Sequence, residues 1–217
     1  MPERTVQDRL REEYFDLLPE VRRVAWHLET EVRHILLPAQ HDLASYEHLT
    51  VKSRVKECDS ALRSLERRQE GNVFDPDRIE DYSILDLQDL AGVRVLAFPH
   101  SRLVEADQLL KGNELFKAWT AKPLNYGANQ QRIPKYFGLL MEVSQRIYAE
   151  YQIVPMLIGL FWEVEHAAMY KPTGSAKGID RDVQMKRQRI AVETSLAQFD
   201  EEFESFVKNS PSPFVDS

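Results

Sequence analysis

One cysteine, Cys58, stands among 217 residues, so neither a disulfide framework nor a cysteine-based metal site forms within the chain. That usage suits a reducing compartment. Glycine is scarce, with eight residues, and neither GxxxxGK(S/T) nor GxGxxG occurs, which removes P-loop and dinucleotide-fold readings. Long apolar runs are missing as well. The longest, over residues 154–162, is far too short to span a bilayer. Met1 is followed by Pro, Glu and Arg, so no signal peptide is expected. Positive charge is in deficit, 28 Lys and Arg against 35 Asp and Glu, and the net charge of −7 argues against indiscriminate polyanion binding. A local basic site stays open. The expectation is a soluble cytoplasmic protein with no membrane contact, long enough for one domain with extensions.

What is present alternates between helical and strand periodicity. Residues 5–36 repeat apolar positions at helical spacing, with Pro19 expected to break the run in two. A strand is expected over 48–56, a basic helix over 58–69, a polar loop over 71–77 and a short helix over 82–90. The β-rich run 92–98 is a strand stopped by Pro99, and helical spacing resumes over 102–110. Residues 112–134 are rich in loop formers. Two strands, 136–143 and 147–154, are expected with a tight link at 144–146. A helix then starts at Pro155 and runs to about Met169, 172–178 break the chain, and a long charged helix covers 180–207 before a disordered tail of ten residues. The fold class is α+β: a mixed, mainly antiparallel sheet flanked by helices.

The segment Lys52-Ser-Arg-Val-Lys56 carries the most chemistry. In a strand, Lys52, Arg54 and Lys56 point to one face about 7 Å apart, leaving Val51, Ser53 and Val55 on the other. Such a row matches successive phosphates of a nucleoside triphosphate, and equally reads as a solvated edge strand with cationic protection. Asp89 precedes the 92–98 strand, and Glu150 shares a strand face with Gln152. Carboxylates on neighbouring strands would hold Mg²⁺, or else cap a strand and pair with a surface cation. The Tyr136 ring offers either a base-stacking platform or a core aromatic. His166 follows Glu163 and Glu165 without HExxH spacing, so zinc is a poor reading.

Taken in order, Val51-Lys-Ser-Arg-Val-Lys-Glu57, Asp89-Leu-Ala-Gly-Val-Arg-Val95, Tyr136, Glu150-Tyr-Gln-Ile153, Trp162-Glu-Val-Glu-His166 and Tyr170-Lys171 resemble the RelA/SpoT synthetase family, in a small single-domain form. The resemblance implies a nucleotidyltransferase-like pyrophosphokinase core over 48–172, a helical extension over 1–47 and a helix with tail over 173–217. It implies transfer of the β,γ-pyrophosphate of ATP to a ribose 3′-hydroxyl, of GDP or GTP by default. Lys52, Arg54, Lys56 and Arg94 would hold ATP. Asp89 and Glu150 would hold Mg²⁺, Glu150 also helping to deprotonate the acceptor. Tyr136, Gln152 and His166 would form the acceptor side. The family pattern Gly-Tyr-Arg-Ser-x-His is replaced here by Lys135-Tyr-Phe-Gly-Leu-Leu140, and Val154-Pro155 stand where Arg-Thr is usual. Polar acceptor-side groups are therefore lost. This keeps two alternatives open: a toxin, paired with an antitoxin protein, that modifies the tRNA 3′ end, with Arg22, Arg23 and Arg33 or Lys186, Arg187 and Arg189 meeting phosphates; or a non-catalytic nucleotide-binding regulator. The hydrolase half of long family members is not expected.

Overall fold

The computed structural model describes residues 5–169 and 179–209, with side chains over 5–165 and 185–209. The expected break at 172–178, Tyr170-Lys171 and residues 210–217 of the tail lie outside the described residues. Helix α1 (Val6–His41) opens the fold with a capping box, Thr5 and Asp8 each satisfying the other's backbone N–H. It runs unbroken through Pro19, contrary to the expected break. Eleven residues from Val6 to Ala39 form a continuous buried stripe. Burying each large one is worth roughly 1.5–3 kcal/mol, which outweighs the ~3 kcal/mol cost of an internal proline. Pro19 is exposed, so the carbonyl that it leaves unpaired, that of Phe15, lies on the solvent side.

Strand β1 (His48–Val55) leads to α2 (Cys58–Glu66), and β2 (Ala91–Phe98) to α3 (His100–Gly112). Between α2 and β2 the expected short helix over 82–90 is a single Ser83-capped 3₁₀ turn, Ile84–Asp86, followed by extended chain. Ile84, Leu87 and Leu90 are fully buried, and their three-residue spacing imitates a helix. The loop-rich stretch after α3 contains short strands: β3 (Thr120–Ala121), then β4 (Leu124–Tyr126) paired with β5 (Gln131–Ile133) as a hairpin. Strands β6 (Lys135–Leu139) and β7 (Tyr148–Pro155) are shorter than expected at their facing ends. Leu140 is buried and its carbonyl accepts the amides of Val143 and Ser144, so the link is a folded turn rather than three residues. Helices α4 (Met156–Met169) and α5 (Ile179–Asn209) complete the chain. No helix among the described residues is long and apolar enough to cross a membrane.

The main sheet has the order β1-β2-β7-β6-β3, with only the β2–β7 pair parallel. One face carries Val51, Val93, Val95, Tyr151 and Ile153 into a core shared with α1 and α3. Gly138 of β6 belongs to this face. A Cβ there would stand 2.4 Å from the Trp119 ring, so only glycine admits the indole. The other face is divided. At one end Leu96 and Val154 pack with Ile158 of α4, Tyr126 and Ile133 of the hairpin and Ala197 of α5. The opposite end is polar, and it is the part of the sheet that α4 and α5 leave open.

Glu193 fixes α5 in place. Buried on that helix, it accepts the Gly127 amide (2.9 Å), the Trp162 indole N–H (2.7 Å) and Arg189 Nε (2.8 Å). Asp200, two turns on, accepts the His100 amide at the start of α3 (3.1 Å). Burial pushes the Asp200 carboxyl up to about 6 against the pull of that amide, Glu204 and Glu201 adding to the rise. A raised folded-state value means that its contribution to stability is full below the unfolded value of about 3.9 and is lost as pH rises through about 6. Melting curves at pH 5 and pH 7.5 should show a fall across that interval that Asp200→Asn removes. An equal fall in the variant would assign it to other groups.

Candidate active site

Cross-strand register builds the polar end of the sheet. Lys52 of β1, Arg94 of β2, Gln152 of β7 and Lys135 of β6 lie opposite one another in one row, and Arg54, Gly92, Glu150 and Phe137 in the next. Residues directly opposite share a face, so these two rows form one surface. Lys56 follows β1, and its amide bonds to the Leu90 carbonyl at 2.9 Å. That closure puts Lys56 beside Asp89, Nζ to Oδ2 at 2.6 Å.

Each cation of the 52–56 row meets a carboxylate. Lys52 pairs with Glu163 of α4 at 3.1 Å, Arg54 with Glu150, and Lys56 with Asp89. Glu150 is fully buried and is also met by Lys135 Nζ at 2.7 Å and by the Gln152 amide at 2.9 Å. Burial works to raise the Asp89 carboxyl, but the Lys56 hydrogen bond and the charges of Lys56, Arg54 and Lys135 hold it below the usual carboxylate range. Burial and the neighbouring Arg54 push the Arg94 guanidinium down. Besides Glu150 Oε2, which Lys135 meets as an ion pair, three buried polar atoms on this surface, Asp89 Oδ1, Gln152 Oε1 and Arg94 Nε, have no hydrogen-bond partner among the described residues. Such atoms carry a desolvation cost that a ligand would relieve.

Gly92 sits between Arg54 and Glu150 in the register. A Cβ at Gly92 would stand 3.1 Å from Glu150 Cγ and 3.3 Å from Arg54 Nε, so the bare backbone lets the two side chains meet across β2.

The structure thus brings together Lys52, Arg54, Lys56, Asp89, Arg94, Glu150 and Gln152. Tyr136 requires a correction. It lies opposite Tyr151 on the core face, stacked on that ring at 4.7 Å between centroids, with its hydroxyl donating to Asp107 of α3 at 2.8 Å. It therefore points away from the cations. The aromatic on the site face is its neighbour Phe137, with Lys135 Nζ 4.7 Å and Lys122 Nζ 5.3 Å from the ring centroid. The His166 side chain lies outside the described residues, though its backbone is in α4.

Lys122, Lys135, Phe137 and Glu163 are the residues that sequence reasoning missed. Lys135 and Phe137 alternate about Tyr136, so the period of two was visible; which face met Glu150 was not. Lys122 also donates to Gln88, next to Asp89, at 2.7 Å. Six cationic side chains and three carboxylates gather here, an excess of positive charge on a chain of net charge −7. The surface is fitted to a compact polyanion.

The donor set also fits a hard cation. Mg²⁺ is commonly held by one or two carboxylates plus substrate phosphates, and Asp89 and Glu150 supply two, one of them with an unpartnered buried oxygen. No group of three or more His, Cys, Asp or Glu side chains is placed to hold a metal among the described residues, so an all-protein cage is absent there.

No family model and no curated protein matches the chain. Solved structures do. Small alarmone synthetase 1 from Bacillus subtilis bound to its product pppGpp matches at a TM-score of 0.64 and 19% identity, over 91% of this chain and 97% of that one. The same enzyme bound to AMPCPP matches at 0.61 and 17%, over 92% and 99%. A GTP pyrophosphokinase family protein from Streptococcus pneumoniae matches at 0.59 and 19%, over 91% and 95%. At these identities the likeness speaks for the fold, and over nine-tenths of its length the chain has the fold of the small alarmone synthetases.

Proposed function

We propose that the protein is an ATP-dependent pyrophosphokinase of the RelA/SpoT kind, working in the cytoplasm and transferring the β,γ-pyrophosphate of ATP to the 3′-hydroxyl of GDP or GTP to make (p)ppGpp. The observation that carries this reading is the convergence of Lys52, Arg54 and Lys56 with two buried or half-buried carboxylates, Asp89 and Glu150, on the open end of a sheet with this fold. Lys52, Arg54, Lys56 and Arg94 bind the triphosphate oxygens and align the chain of phosphates. Mg²⁺ held by Asp89 and Glu150 would neutralise charge on the transferring group. Phe137 replaces Tyr136 as the aromatic proposed to stack on the acceptor base, with Lys122 and Lys135 beside it for the acceptor's phosphates. The acceptor 3′-oxygen attacks the β-phosphorus of ATP, the bond from that phosphorus to the α-phosphate oxygen breaks, AMP leaves, and the hydroxyl proton passes to the Glu150 carboxylate. Positioning and charge neutralisation supply most of the rate.

The tRNA acceptor is the less supported alternative. Arg33 is engaged with Glu29 and the Val51 carbonyl, Arg23 with the Val143 carbonyl, and Arg189 with Glu193. Three of the six basic residues offered for tRNA thus already hold contacts within the fold. Incubation with γ-³²P-ATP and Mg²⁺, separately with GDP, GTP and deacylated tRNA, decides among the readings. Label on a guanine nucleotide is the expected result. Label on tRNA alone would make the protein a translation-blocking toxin, and ATP binding without transfer would make it a regulator.

A further inference from the structure

The groups proposed to hold phosphate and metal are paired with one another within the fold. Lys52–Glu163, Arg54–Glu150 and Lys56–Asp89 form three rungs of opposite charge along the site, and Lys135 adds a second cation on Glu150. The middle rung crosses β2 over Gly92, where a Cβ would crowd both side chains. A metal ion arriving alone meets carboxylates that are already neutralised, and to bind it must strand Lys56 or Arg54 beside its charge. A polyphosphate arriving alone meets cations that are already paired, and must strand Asp89 and Glu150. Glu150 is fully buried and the Asp89 side chain is 20% exposed, so neither charge is readily handed to water. A metal–polyphosphate complex satisfies both sides in one exchange: cations pass to phosphate oxygens while carboxylates pass to the metal.

We propose that this ladder is a selectivity device, by which the site takes a metal-complexed polyphosphate as a unit and resists either component alone. The proposal rests on the donor-site reading above. It makes the coupling reciprocal, since bound polyphosphate raises the affinity for metal by the same factor as bound metal raises that for polyphosphate. The inner rungs carry the effect. Lys52 and Glu163 are 45% and 40% exposed, so their rung is screened and adds little.

The test is equilibrium binding to the full chain of three probes: Mn²⁺ alone, tripolyphosphate alone under chelator, and the preformed Mn²⁺–tripolyphosphate complex. Wild type should bind the complex at least about tenfold more tightly than either part. Lys56→Met should tighten Mn²⁺ alone about fivefold and weaken the complex, and Asp89→Asn should tighten tripolyphosphate alone by about the same factor and weaken the complex. Gains of opposite kind in the two variants are not produced by misfolding, which lowers binding of everything. Should a buried variant fail to fold, Glu163→Gln on the exposed rung should still tighten tripolyphosphate alone about twofold. If the complex binds wild type but none of these substitutions tightens its single component, the ladder is overturned and the donor site stands. If wild type does not bind the complex, the donor-site reading falls and the ladder with it.

Discussion

Asp89→Asn and Glu150→Gln should each lower pyrophosphate transfer by at least about a hundredfold, the scale on which loss of a group stabilising transition-state charge is felt. Both substitutions keep shape and remove charge. In Glu150→Gln the amide oxygen remains an acceptor for Lys135, whose side chain is only 13% exposed, and Arg54, with a side chain 39% exposed, turns to water. The folded state therefore survives while the anionic oxygens are gone. Asp89 adds a pH signature. Burial pulls its carboxyl up, but the Lys56 hydrogen bond and the charges of Lys56, Arg54 and Lys135 win and hold it below the ordinary value. A depressed folded-state value gives stability that is full above the unfolded value of about 3.9 and is lost as pH falls through the lower folded one. Between pH 5 and 8 Asp89 stays ionised, and any acid limb of the rate in that range belongs to another group. Label transfer and melting curves on both variants provide the check. Activity within about tenfold of wild type in either one, at unchanged stability, removes that carboxylate from the reaction.

How far the site was legible depends on which physical rule governed each residue. The faces of Lys52, Arg54, Glu150 and Gln152 followed from the strand period alone, because alternation is fixed by backbone geometry. The closeness of Asp89 to Lys56 did not, since it depends on the antiparallel closure of β1 on β2 and the bond to the Leu90 carbonyl. Pro19 reads as a break because its local penalty is visible in the sequence, whereas the stripe of buried contacts that carries α1 through it is a tertiary feature. Ile84, Leu87 and Leu90 satisfied a helical spacing that a turn and an extended segment satisfy too. Lys122 and Glu163 join the site through tertiary packing of a loop and of α4, which no local pattern encodes.

Tyr136 and Phe137 separate the two faces of one strand, and substitution should separate them functionally. A one-residue choice of register moves every side chain to the opposite face, so either aromatic fits the sequence. The structure sets Tyr136 among Tyr151, Trp119 and Phe116 on the core side, with Asp107 taking its hydroxyl. Burial, with the Asp107 hydrogen bond, raises its phenol well above the ordinary value, so it stays neutral and serves as a donor there. Tyr136→Ala should cost stability on the scale of other buried aromatic truncations, about 3–5 kcal/mol, and depress all activities together through the folded fraction. Tyr136→Phe keeps the ring and should cost about 1 kcal/mol with acceptor KM unchanged. Phe137→Ala should cost less stability than Tyr136→Ala, because its ring is only partly buried, on the site face between Lys122 and Lys135. It should raise the acceptor KM about tenfold or more with little change for ATP, since base stacking on an aromatic is worth about 1–3 kcal/mol. Unfolding curves and separate KM values for donor and acceptor distinguish the cases. A Phe137→Ala protein with an unchanged acceptor KM would leave the acceptor to be held by the lysines alone, while a Tyr136→Phe protein that lost acceptor affinity at full stability would return the stacking role to Tyr136 and require the end of β6 to turn over when the acceptor binds.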